Sequence, residues 1–209
     1  MPIEAGLVAL ATYFATIGPA DLAFVFAALT ARSAPAARRA TALRGVLIGG
    51  AILLFFAFFG AAVLDIFGVS LPALRAAGGI LLLLIAIDMV FARNSGGTST
   101  TSEENAEAAA KHDISVFPLA TPLIAGPGAI GATVLLVANA RGDQATIAIT
   151  IAALLTILAL TYVLLLLATQ VQRLLGVTGL HVVSRVVGVL LAALSVQFIF
   201  DGIKSGLLA

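Results

Sequence analysis

Residues 118–136 read PLATPLIAGPGAIGATVLL, with three prolines (Pro118, Pro122, Pro127) and three glycines (Gly126, Gly128, Gly131) set in an uncharged apolar run. The run lies within a longer apolar stretch, 114–139, which exceeds the ~20 residues a helix needs to cross a bilayer. Proline inside a helix removes a backbone bond and clashes with the preceding turn, at a cost of ~3 kcal/mol or more. In lipid the freed carbonyls need partners, so such a break is tolerated where it faces protein or a wet cavity. The pattern predicts two half-helices meeting at an unwound segment.

Five further apolar stretches of spanning length flank this one, giving 5–31, 43–64, 72–91, 114–139, 146–168 and 183–206. Of the 209 residues 61% are hydrophobic and 10% charged, and mean hydropathy is +1.17. A soluble domain carries about a quarter charged residues, so a cytosolic enzyme is excluded. No period-2 alternation marks a barrel, and the class is an all-α polytopic membrane protein. A net charge of +1 argues against a nucleic-acid partner. The chain has no cysteine, and its two histidines, His112 and His181, lie far apart, which leaves disulfide, thiol and metal chemistry without ligands. The chain start carries Glu4 and no basic residue before its apolar run, which reads as a retained first span rather than a secretory signal.

Orientation follows from lysine and arginine in short loops. The first loop holds Arg32, Arg38, Arg39 and Arg44, which places it in the cytoplasm and both termini outside. Threading six spans then puts Arg93, Lys111, Arg173 and Arg185 inside, and Arg75, Arg141 and Lys204 outside. The polar stretch 92–113 is rich in Gly, Ser, Thr and Glu and reads as a flexible cytoplasmic linker, with a short helix near 102–111 capped by Ser102.

The chain repeats itself. Ile17-Gly18-Pro19-Ala20 matches Ala125-Gly126-Pro127-Gly128, and Phe67-Gly68-Val69-Ser70 matches Leu175-Gly176-Val177-Thr178, both at an offset of 108. Gly79-Ile80-Leu81-Leu82 matches Gly188-Val189-Leu190-Leu191 at 109, which sets Asp88 opposite Gln197. Each unit holds three spans, so the second must enter the membrane from the opposite side. The expected organisation is a 3+3 inverted repeat: 1–91, the linker 92–113, then 114–209, with helices 1 and 4 broken at Gly-Pro. Secondary transporters recurrently use this plan, with broken helices at matching positions.

The breaks are the candidate substrate site. A half-helix N-terminus suits a carboxylate, and the exposed carbonyls of the other half suit an ammonium group or a cation. The candidate substrate-binding residues are Thr16, Gly18, Pro19, Asp21, Thr121, Gly126, Pro127 and Gly128. Intramembrane threonines such as Thr16 and Thr121 more often bond their own helix backbone, and Asp21 is equally readable as a cap on the second half-helix. Asp21 and Asp88 are the carboxylates available for coupling to H+ or Na+. Gln197 is read as a polar residue bridging helices, and Gly45–Gly49 and Gly202–Gly206 as close helix approaches.

These segments resemble the MarC family of bacterial inner-membrane proteins, also called the small neutral amino-acid transporter (NAAT, SnatA-like) group. The resemblance covers nearly the whole chain. Its strongest parts are Pro118-Leu119-Ala120 through Gly126-Pro127-Gly128-Ala129-Ile130, Ala77-Gly78-Gly79-Ile80-Leu81 through Asp88-Met89, and Arg185 through Gly188-Val189-Leu190-Leu191 to Gln197-Phe198. Leu29-Thr30 with the arginine loop fits as well. The resemblance implies six inner-membrane spans and, for some members, transport of glycine, alanine and similar amino acids. Members usually carry Asn or Asp before the first-span proline and a Gly-Asn pair just after the next residue, where this chain has Gly18, Asp21 and Leu22.

The expected function is an exchanger or secondary transporter of a small zwitterionic amino acid, working by alternating access. No cofactor or resident metal is expected, the partners being the lipid bilayer and the small-molecule substrate, with a homo-oligomer left open. A metal exporter would want more intramembrane carboxylates or histidines. An intramembrane enzyme lacks any HExxH or a serine beside an embedded His or Lys. A non-transporting membrane protein with a stress or envelope role, and an exporter of another small solute, are the alternatives.

Overall fold

The computed structural model describes residues 2–30, 33–91, 114–140 and 142–207, so the predicted linker 92–113 with its Ser102-capped helix lies outside the described residues. Among the described residues the regular structure is helical throughout: α1 (Pro2–Ile17), α2 (Pro19–Leu29), α3 (Pro35–Ile66), α4 (Leu71–Phe91), α5 (Ser115–Ile124), α6 (Pro127–Asn139), α7 (Gln144–Leu166) and α8 (Ala168–Leu207). Five segments are long and apolar enough to cross a membrane, and the bent pair α5–α6 makes a sixth. The chain is an all-helical polytopic membrane protein. Phe55, Phe58, Phe59, Leu84 and Phe200 stand exposed on the surface that lipid would cover.

The two Gly-Pro segments differ in form. Pro19 and Pro127 each open a half-helix, α2 and α6, where the missing N–H would be unsatisfied anyway and the ring's fixed φ suits the helix. They are helix starts, not interior kinks. At Gly18 the break is one residue wide, with φ +58. Gly18 N–H donates to Phe14 O (3.0 Å) and Gly18 O accepts from Leu22 N–H (2.8 Å), so α1 and α2 continue as one span, Ile3–Ala27. The pair α5–α6 bends by 53°. The difference lies in the sequence: α5 contains Pro118 and Pro122, and the residues before them, Phe117 and Thr121, are extended (φ −129 and −131). A residue preceding proline is sterically excluded from the helical region. The ladder is forced into wide turns, Leu119 N–H to Ile114 O and Ala125 N–H to Ala120 O (3.2 and 2.9 Å). The equivalent positions in α1, at the offset of 108, are Leu10 and Phe14.

The repeat is visible in the backbone. Gly68 and Gly176, equivalent by sequence, share φ of +63 and +57, a conformation that costs a residue with a Cβ ~1–2 kcal/mol. Gly176 kinks α8, and the membrane-crossing segment beyond it, Arg185–Leu207, agrees with the expected span 183–206. The contacts are reciprocal as well. A Cβ on Gly79 would fall 2.8 Å from Ser195 O and 2.9 Å from Ile199 N, and one on Gly188 would fall 3.1 Å from Ala86 O and from Val90 Cγ2. Adding 109 to 86 and 90 returns 195 and 199, so α4 and α8 pack antiparallel about a pseudo-two-fold axis. Gly50 meets its own repeat equivalent, Leu158, across α3–α7.

The two units interlock. α1 packs on α7, and α2 on α7 and α8; reciprocally α5 packs on α3, and α6 on α3 and α4. Gly45 and Gly49 seat Leu119 and Ile124 of α5, whereas Gly202 and Gly206 seat Ala76 and Pro72 of α4. Both Gly-x-x-x-Gly spacings therefore serve packing inside one chain. Each broken span is buried against helices from the other half of the chain, and both halves contribute to one core cluster. At one end of the bundle Asp143 caps α7, accepting from Thr146 N–H (3.1 Å) and from the Thr146 hydroxyl. Those two bonds hold its exposed carboxyl below the usual carboxylate range.

Candidate functional site

α1 packs on α6, and α2 touches α5. The halves of the two broken spans are thus in contact. α2 and α6 each begin at a break, and each N-terminus carries a positive helix end. Gly18 is half-buried; Pro19, Gly126 and Gly128 are buried, and Pro127 is exposed. Asp21 is half-buried in the first turn of α2, with its carboxylate beside Gly18. That position favours a negative charge. Gly128 lies against Ile85 of α4, so bulk placed there tests helix packing rather than filling an opening.

The predicted threonines spend their hydroxyls locally. Thr16 donates to Thr12 O (2.8 Å) and Thr121 to Val116 O (3.2 Å), the backbone-bonding alternative of the sequence reading. Gln197 is exposed and donates to Asp201 (3.0 Å) on its own helix. The expected bridge between helices is replaced by an i,i+4 pair, because residues four apart on a helix are neighbours. Asp88 is half-buried on α4, three residues beyond Ile85, the residue that packs against Gly128 of the second break.

The sequence reading missed a polar step beside the breaks. Thr12 and Tyr13 on α1 and Thr133 on α6 are fully buried. Thr133 donates to Ala129 O (2.7 Å). The Tyr13 hydroxyl lies beside Thr133 without a hydrogen bond of good geometry, and Thr12 Oγ1 is likewise unpartnered. A buried hydroxyl without a partner costs ~1–3 kcal/mol, so two neighbouring ones on one seam call for an explanation. The only local signal was the adjacent pair Thr12-Tyr13 in the first span, and nothing in the sequence tells that Thr133 stands beside Tyr13.

A cavity of about 650 Å³ opens at the end of the bundle where α1 starts and α6 and α8 end. Its deepest lining includes Val8, Leu136 and Thr150. Val8 is four residues from Thr12, about 6 Å along a helix. Arg75 of α4 lines the cavity and is 7% exposed. Its Nε donates to Asn139 Oδ1 on α6, and its Nη1 to Ser205 Oγ on α8 (3.4 Å). None of the predicted break residues lines this cavity. At the opposite end Arg38 Nη2 donates to Thr169 Oγ1 (3.0 Å), tying α3 to α8. Among the described residues no group of His, Cys, Asp or Glu is arranged to hold a metal.

Residues 4–207 match the profile described as MarC family integral membrane protein. A UPF0056 membrane protein of Methanocaldococcus jannaschii is 38% identical over 211 residues, covering 100% of each chain. The Escherichia coli UPF0056 membrane protein YhcE is 36% identical, covering 91% of this chain and 88% of its own. Bacillus subtilis YvbG, another UPF0056 membrane protein, is 35% identical over 91% of this chain and 90% of its own. No solved structure matches the chain.

Proposed function

We propose a transport function on one premise: the chain belongs to the MarC family of integral membrane proteins. In this reading it is a carrier and not an enzyme, an exchanger or secondary transporter of small neutral amino acids of the glycine or alanine type. The observation that carries the reading is the pair of helix breaks at Gly18 and Gly126 in spans whose halves pack on one another, α1 on α6 and α2 on α5. Two helix N-termini are suited to a carboxylate, and the unpartnered Thr12 and Tyr13 hydroxyls one to two turns away supply hydrogen bonds that a ligand would complete. Carbonyls left by the wide turns of α5 are suited to the ammonium group. In this reading Asp21, at the first break, and Asp88, less than one turn from the Ile85 that packs on Gly128, are the carboxylates that couple H+ or Na+ movement to the solute.

The membrane is the inner membrane of a bacterial cell, with both termini outside by the positive-inside rule. The cavity then faces out, and at the opposite end Arg38 bonds Thr169. The test is counterflow of labelled glycine and alanine into liposomes holding the purified full chain. Saturable counterflow is expected. Its absence from a monodisperse, thermally cooperative sample removes amino-acid transport and leaves a non-transporting envelope role.

A further inference from the structure

A buried arginine at the mouth of a 650 Å³ cavity is not required by the helix breaks, which lie about 18 Å from its partner Asn139 along α6. Arg75 is fixed by two neutral acceptors, Asn139 and Ser205, on two different helices. Those bonds orient the guanidinium and engage two of its five N–H donors without neutralising it. Arginine held this way presents a planar fork matched to a carboxylate. An ionisable group buried in a spanning segment is expensive to keep and marks a solute path by default.

The rest of the lining decides what that solute is. Lys204 adds a second cation, and Glu4 and Asp201 supply two acids. The wall is therefore balanced in charge, two positive against two negative. A site for a free anion would be basic, and one for a cation acidic. Val8, Leu136 and Phe198 give it an apolar side. We propose that the cavity at the Arg75 end is a binding site for a small zwitterion, separate from the helix breaks. Arg75 takes the carboxylate, the acidic side of the wall takes the ammonium group, and the apolar wall takes a short side chain. The proposal deepens the carrier reading and rests on it for its place in a transport cycle, as the solute's first contact before the Thr12–Tyr13 step. Binding at Arg75 itself does not depend on that reading.

The experiment reads the arginine directly. The full chain in lipid nanodiscs is treated with phenylglyoxal, and adducts at Arg75 and at Arg38 are quantified by peptide mass spectrometry with and without L-alanine, acetate or methylammonium. Alanine at about ten times its Kd slows modification of Arg75 roughly tenfold by mass action and leaves Arg38 unchanged. Acetate and methylammonium, each half of the zwitterion, protect far less. Protection persists in a Tyr13→Phe, Thr12→Val double variant, whose changes are confined to the deeper step. Equal rates at Arg75 with and without alanine overturn the proposal, as do full protection by acetate alone and loss of protection in the double variant. The same preparation is assayed for counterflow. Counterflow without protection sinks the cavity site and leaves the carrier; protection without counterflow does the reverse.

Discussion

Removing the Tyr13 hydroxyl should make the protein more stable and the carrier worse. Tyr13 and Thr12 are 0% exposed and their hydroxyls are unpartnered. Tyr13→Phe and Thr12→Val delete those groups at nearly constant volume, leaving no cavity. Each unsatisfied hydroxyl costs ~1–3 kcal/mol, so each variant should gain up to that amount. For a chain of 209 residues this corresponds to a rise of about 2–4 °C per kcal/mol. Unfolding of such a protein is commonly irreversible, so parent and variants are compared at one scan rate in the same detergent. A ligand that completes these hydroxyls loses a hydrogen bond worth ~0.5–1.5 kcal/mol in each variant, a weakening of roughly 2- to 12-fold in apparent affinity for counterflow. Higher Tm together with weaker counterflow is a combination that a purely structural hydroxyl cannot produce. Lower Tm with unaltered counterflow would show that both hydroxyls are bonded within the native protein, and it would refute the reasoning.

The reciprocal α4–α8 contact predicts matched effects at two distant positions. Gly79→Ala and Gly188→Ala should each lower Tm, at the ~1–3 kcal/mol typical of overpacking, because backbone oxygens of Ser195 and Ala86 stand where the new methyl must go. Gly131→Ala, with nothing within 4 Å of its Cβ, should be neutral or stabilising; equal losses at all three would show that the contact is not specific. Asp143→Ala should lower Tm at neutral pH by removing the cap on α7. The folded carboxyl is depressed below 3.8, so its contribution is present above that value and lost as pH falls through the lower folded pKa. Melting curves of parent and variant should therefore converge in acid, and a gap that stays constant down to low pH would contradict the capping role.

The membrane class and the repeat were legible because they rest on composition and on order along the chain. Six apolar stretches set the span count, and the Gly68/Gly176 match anticipated two backbones with the same positive φ. The site was legible only as far as its backbone. Gly-Pro at equivalent places marks both breaks, but their unequal bend comes from Pro118 and Pro122, which lie upstream of the matching motif. The polar step could not be read because Tyr13 and Thr133 are 120 positions apart and meet only through the interlock. Arg75 was placed among outside-facing charges by the loop rule. Its burial arises from Asn139 and Ser205, contributed by spans that no local pattern links to α4.

The interlock also determines which surfaces are able to move. α1–α2 with α7 and α8 form one body, and α5–α6 with α3 and α4 form the other, related by the pseudo-two-fold axis. The bodies meet at α4–α8, at α3–α7, and along the seam where α1 faces α6 and α2 faces α5. At α4–α8 the backbones approach too closely to slide: Gly79, Gly188 and Gly202 each leave under 3.2 Å to a backbone atom of the partner helix, and close-packed interiors do not deform continuously. The α1 side of the seam is different, carrying the Thr12 and Tyr13 hydroxyls without hydrogen-bond partners. In the proposed carrier, a motion that kept α4–α8 as its pivot would open α1 from α6 and widen the Arg75 cavity toward the breaks. The symmetry-related motion opens α2 from α5 toward the Arg38 end. The paired breaks sit where these two openings meet, and alternating access needs its site at that level.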